Sequence, residues 1–188
     1  MKRKIILVTD GDNVARKAVE IATKNVGGRC ISKSAGNPTP ITGDKIVNLI
    51  KVAKYDPVVI MVDDIGDPGK GKGERALELI INDPDMEVLG VIAVASNTEG
   101  VEGIKVDFSI DNRGKVINKA VNKVGKETND DILYGDTVDA LNDFDLPIVV
   151  GIGDPGKMKG RDDCHKGAPI LTKALKELLS RSEKLNEK

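Results

Sequence analysis

The sequence predicts an α/β fold, a single three-layer domain with a mostly parallel sheet, on three observations. Short all-apolar runs such as Val58–Val62 alternate with stretches whose apolar residues recur at helical spacing. The runs place Val, Ile and Leu on successive positions, as strands buried on both faces require. Aspartate- and glycine-rich turns close the runs, and in parallel sheets ligand sites gather at those carboxyl ends.

Each element has its own reason. Lys4–Thr9 is a short apolar run ending in Asp-Gly-Asp, a buried strand reaching a turn. Val14, Ala15, Ala18, Val19, Ala22 and Val26 follow at helical spacing, with Asp12 placed as N-cap and Gly27-Gly28 as the stop. Cys30-Ile31 is a second short strand, and Gly36–Pro40 a loop. Thr42 would cap a helix burying Ile46, Val47, Leu49, Ile50 and Ala53. Val58–Val62, entered through Pro57, is the third strand. Glu74–Ile81 reads as helix and Glu87–Ala95 as strand. Val106–Ile110 and Val116-Ile117 flank an Asn-Arg-Gly turn. Asp130–Leu141 is expected as a short helix and Ile148–Ile152 as a strand. A long amphipathic helix starts at Pro169 and turns Leu171, Ala174, Leu175, Leu178 and Leu179 inward. The domain is expected to span 1–180, with 181–188 a polar, frayed tail.

Composition excludes several classes. Among 188 residues, 29 Lys and Arg balance 30 Asp and Glu for a net charge of −1, so no nucleic-acid partner is expected. Two Tyr, two Phe and no Trp leave no stacking platform for single strands. No apolar stretch approaches the roughly 20 residues of a spanning helix, and MKRKIILVTD is too short in its apolar part for a signal peptide. Two cysteines form no secreted framework. The expectation is a soluble protein made in a reducing, cytoplasmic compartment.

Gly66–Gly73, GDPGKGKG, nearly spells the phosphate-cradling GxxxxGK[ST]. Gly73 stands where a hydroxyl would hold magnesium, and Asp67 places a negative charge in the anion cradle, so this is not a working P-loop. The loop recurs as GDPGKMKG at Gly153–Gly160, again after an apolar strand, with seven matched positions. Both copies keep an aspartate at a strand end and two lysines on a glycine-loosened loop. Lys70, Lys72, Lys157 and Lys159 are therefore candidate anion ligands.

Asp10 and Asp12 end the first strand, and Asp63, Asp64 and Asp67 the third. If those strands are neighbours, their carboxylates converge, and a hard cation, Mg²⁺ or Ca²⁺, would relieve the repulsion. The layout is Rossmann-like and resembles Toprim domains, where an acid after the first strand and a DxD pair after a later one bind magnesium. It departs from them in having aspartate for glutamate at the first position and no DxD at Asp63–Asp67. Taken singly, strand-end aspartates cap helices and loop lysines are solvated. Asp162, Cys164 and His165 lack the second cluster a zinc site needs. Cys30 is expected as a small packed hydrophobe. Cys164 and His165 are sequence neighbours, which rarely meet as a nucleophile pair. No Ser-His-Asp arrangement or GxSxG is present, so no catalytic residue is assigned.

KIILVTDGDNVARKAVE, GGRCISKSAGNPTP, VVIMVDDIGDPGKGKGERAL, VIAVASNTEGVEGIKVDFSID and PIVVGIGDPGKMKGRDDCHKGAPILTKAL together resemble the soluble stage V sporulation protein AE family of spore-forming Firmicutes. The paired GDPGK loops and Ala95–Thr98 are its most specific marks. The resemblance implies a non-enzymatic accessory protein of sporulation and spore germination. Its partners would be the other stage V sporulation membrane-channel proteins that move dipicolinic acid, as its calcium complex, across the inner spore membrane. The chain would sit peripherally on that membrane through those partners, with calcium dipicolinate as the implied ligand. The alternatives are a Toprim-like metal-dependent phosphotransfer or nuclease-type enzyme, and a small-anion sensor.

Overall fold

Successive residues of the first strand part company: Ile5 and Leu7 enter one apolar layer, Ile6 and Val8 the other. A strand buried on both faces needs a layer of helices on each side. A computed structural model of the chain, describing residues 1–64 and 71–187, supplies them. In chain order the elements are β1 (Arg3–Val8), α1 (Asn13–Asn25), β2 (Arg29–Cys30), α2 (Gly43–Lys51), β3 (Val58–Met61), α3 (Lys72–Asn82) and β4 (Met86–Val94). They continue as β5 (Ile104–Lys105), β6 (Phe108–Ile110), β7 (Val116–Ile117), β8 (Ile132–Leu133), β9 (Val149–Ile152) and α4 (Pro169–Asn186).

Among the described residues seven strands form one sheet in the order β2-β3-β1-β4-β9-β6-β7. All neighbours are parallel except the β6–β7 hairpin at the edge. β5 and β8 form a separate antiparallel pair. Helices α2 and α3 pack together over the layer containing Ile5, Leu7, Val58 and Ile60. Helices α1 and α4 pack together over Ile6, Val8, Val59 and Met61. The expected α/β architecture with a mostly parallel sheet is the one observed.

The caps follow the sequence in part. Asp12 accepts hydrogen bonds from the Val14 and Ala15 amides and starts α1. Thr42 stands at the N-cap of α2, but its side chain makes no capping bond. Asp162, fully buried, accepts from Ile170 and Leu171 N–H at the start of α4 and from Gly156 N–H in the preceding loop.

Two local expectations are corrected. Asp130–Leu141 is not a helix: it holds β8, an extended stretch and a 3₁₀ turn at Asp139–Asp143. Its apolar residues serve β pairing instead, with Ile132 opposite Lys105 and Leu133 opposite Ile104, and short-range spacing does not distinguish such a segment from one helical turn. The last helix also runs on to Asn186, beyond the residue at which the polar tail was expected. Arg181 lies 3.7 Å from the Phe108 ring centroid and Ser182 is buried, so tertiary contacts carry the helix past its apolar stripe.

Candidate functional site

After β1 the chain turns toward β2 and β3; after β4 it turns the other way, toward β9 and β6. The carboxyl ends of β1 and β4 are thus the point where the winding reverses, the place where parallel sheets open a crevice. A cavity of about 140 Å³ lies there. Thr9, Asp10 and Asp12 line it from the end of β1, Asp63 from the end of β3, Ser96 from the end of β4, and Asp154 and Lys157 from the end of β9. Asn37, Lys123 and Asp136 complete the polar wall. The volume is below the roughly 300–1,000 Å³ of drug-sized pockets and suits an ion or a small anion.

One oxygen each from Asp10, Asp12 and Asp154 lies within 4.8 Å of the others. Lys157 Nζ donates to Asp12 at 2.5 Å and to Asp154 at 3.1 Å. Lys123 stands 3.8 Å from the other oxygen of Asp154. Asp10 accepts from the Asp12 N–H at 3.2 Å. Ser96 Oγ lies 2.6 Å from Thr98 Oγ1 and donates to Asp136 at 3.2 Å. Asp63, 4 % exposed, is fixed through its backbone, which exchanges hydrogen bonds with Thr39.

Crowding of negative charge shows in the protonation equilibria. Burial first, then the charges of Asp12 and Asp154, push the Asp10 carboxyl up to about 6. Burial, with Asp10 and Asp136 adding repulsion, pushes Asp63 up to about 8. Burial also raises Asp12, but the Lys157 hydrogen bond and the α1 amides outweigh it, so its carboxyl falls below the ordinary range. Lys157 loses to burial and gains more from Asp12 and Asp154, and its ammonium is held above its usual value. A divalent cation would suit this wall of oxygens.

Of the residues expected from sequence, Asp10, Asp12, Asp63 and Lys157 meet at this cavity. Asp64 does not: its carboxylate accepts from the Gly73 and Glu74 amides and starts α3. Lys72 opens α3 and lines a different groove, with Ile41, Asp44 and Leu79. Lys159 is exposed, away from the cavity wall. Asp67 and Lys70, with the rest of the first GDPGK copy, lie outside the described residues. A Cβ on Gly73 would stand 2.5 Å from the Asp63 carbonyl oxygen; the tight seat of α3 against the strand end leaves no room for a P-loop serine or threonine.

Asp154 stands in the second GDPGK copy, and that repeat is the signal in the sequence that marks it. Asn37, Ser96, Lys123 and Asp136 had no signal in spacing. Cys30 is half-buried, and burial pushes its thiol up to about 12, which keeps it inert. Cys164 and His165 open a short turn capped by Asp163, away from the cavity.

Fold and cleft together define a doubly wound α/β protein with a small, charged cleft at the switch point of its sheet. The chain belongs to the stage V sporulation protein AE family: a family model described as Stage V sporulation protein AE1 matches residues 4–182. Membership gives it a role in sporulation and points to other proteins of that stage as partners. No curated relative and no solved structure matches it. Among the described residues no helix is long and apolar enough to cross a membrane.

Proposed function

We propose that the chain is a non-enzymatic accessory protein of sporulation and spore germination, attached to the machinery that moves dipicolinic acid, as its calcium complex, across the inner spore membrane. The observation that carries this reading is the meeting of Asp10, Asp12 and Asp154 within 4.8 Å, beside Lys157 and Lys123. Carboxylates take the cation, and the two ammonium groups face the dicarboxylate that travels with it. The net charge of −1 gives little attraction to anionic lipid, so the protein meets the membrane through other stage V sporulation proteins.

Titration calorimetry with Ca²⁺, Mg²⁺ and Mn²⁺, then with calcium dipicolinate, tests the reading. Saturable binding in the parent, lost in Asp154→Asn, supports it; no heat with any of these ligands overturns it.

A metal-dependent phosphotransfer or nuclease activity of Toprim-like layout is the second reading. It needs acids from the first and third strands on one edge, and β1 and β3 are neighbours in register from Ile5 opposite Val58 to Val8 opposite Met61. Multiple turnover of a phosphoester with Mg²⁺, abolished by Asp63→Asn, would favour it over the first.

A further inference from the structure

Transfer of a phosphoryl group to a carboxylate makes four demands on a site. It needs a carboxylate that no cationic side chain holds and a divalent cation held beside it. It also needs a fixed ammonium for the phosphoryl oxygens and a hydroxyl or amide for the oxygen that remains. The cleft meets them from four different strands.

Asp63 supplies the carboxylate. It lines the cavity at 4 % exposure, accepts from the backbone amides of Gly11 and Asp64, and forms no ion pair with another described residue. It stands outside the Asp10, Asp12 and Asp154 cluster whose oxygens approach within 4.8 Å. Those three carboxylates are otherwise engaged: Asp12 and Asp154 hold Lys157, and Asp10 accepts from the Asp12 amide. A buried carboxylate with no cationic partner among the described residues, on the wall of a cavity that also presents two ammonium groups, marks a place for a bound group carrying both charges. Lys157 supplies the ammonium, and a cation seated among the three carboxylates would release it from them. Ser96 supplies the hydroxyl and Asn37 an amide on the same wall. A cavity of about 140 Å³ admits a phosphoryl group and a cation and leaves no room for a nucleoside.

We propose that Asp63 is a phosphoryl-acceptor site that takes the group, with a divalent cation, from a small acyl phosphate. The proposal goes beyond the accessory role and rests on the part of that reading in which the cleft holds a divalent cation. An Asp63 oxygen attacks phosphorus in line with the leaving carboxylate. The bond from phosphorus to the donor's acyl oxygen breaks, and the carboxylate departs with the electron pair. The product is an acyl phosphate on Asp63; the proton that Asp63 carries in the cation-free cleft leaves to solvent as the cation seats, before the attack. Water later attacks the same phosphorus and returns Asp63 as a carboxylate, with inorganic phosphate and one proton. Ser96 now donates to Asp136; a phosphoryl oxygen would compete for that hydroxyl.

The test incubates the full chain with acetyl phosphate and Mg²⁺ and reads the intact mass. Mg²⁺ calorimetry is run on the same preparation. The expected result is a gain of one phosphoryl group, labile to hydroxylamine and lost in chelator. Borohydride reduction of the parent protein should map it to residue 63 without any substitution. Asp63→Asn should lose it while still melting in one cooperative transition. Mg²⁺ bound with no mass gain, or a gain mapped to another residue, overturns the proposal and leaves the cation reading standing. No Mg²⁺ bound and no mass gain overturns both.

Discussion

The Lys157 ammonium lies 2.5 Å from the Asp12 carboxylate across 145 residues of sequence, and the same nitrogen holds Asp154 at 3.1 Å. It ties the end of β9 to the start of α1 and serves as an internal counter-ion for the cleft. A divalent cation entering the carboxylate cluster competes with it directly.

Lys157→Ala should therefore move stability and affinity in opposite directions. Without cation the variant loses about 1 kcal/mol, less at high salt, because the pair is partly exposed and screened. Removing the competitor tightens Ca²⁺ or Mg²⁺ binding, so the rise in melting temperature on adding cation should be larger than in the parent. A smaller rise would refute the competition.

Stability without cation should fall as pH rises. Folded Asp63 keeps its proton up to about pH 8 and Asp10 up to about pH 6, against an ordinary value of 3.8. Between those values the folded state binds more protons than the unfolded one, so each pH unit costs up to about 1.4 kcal/mol per fully shifted group. Asp12, shifted down, contributes above the ordinary carboxylate range and loses its contribution as pH falls through its folded value. The melting temperature should be higher at about pH 6 than at about pH 9, and Asp63→Asn should remove most of that difference.

Asp162→Ala strips the partner from three backbone donors, those of Gly156, Ile170 and Leu171. The loss of a cap and of buried hydrogen bonds should cost about 2–4 kcal/mol in denaturant unfolding. Cation affinity should weaken as well, since Gly156 fixes the loop that carries Asp154 and Lys157.

Asp64 and Asp154 make a matched pair of substitutions. Asp64→Ala uncaps α3 and should cost about 1–2 kcal/mol, with the cation affinity of the folded protein retained. Asp154→Asn should leave melting nearly unchanged and abolish cation binding. Calorimetry and melting on both variants would expose any exchange of these roles.

The helices and sheet strands were legible because their apolar residues repeat at 3.6 or run unbroken, and burial selects those patterns directly. Asp130–Leu141 misled because a two-residue strand and a 3₁₀ turn are too short to show a period. Asp63 and Asp64 look alike in sequence, yet successive residues of an extended chain point to opposite sides. One faces the cleft and the other α3. Lys123 and Asp136 sit in irregular segments, and only the sheet order brings them beside β1. Asp154 carried a signal in the repeated GDPGK, but its distance from Asp10 depended on strand order, which no local pattern encodes.

β9 inserts between β4 and β6, two strands made before it. On the ribosome, the β2-β3-β1-β4 half-sheet would wait with the edge of β4 open, and the β6–β7 hairpin would have no place in the sheet. Both are completed by the same late segment, which also brings Asp154 and Lys157. A nascent or truncated chain would therefore show a sticky strand edge and no finished cleft, and such non-local closure is slow. The charge-bearing cleft is therefore complete only once the chain has been made through Lys157.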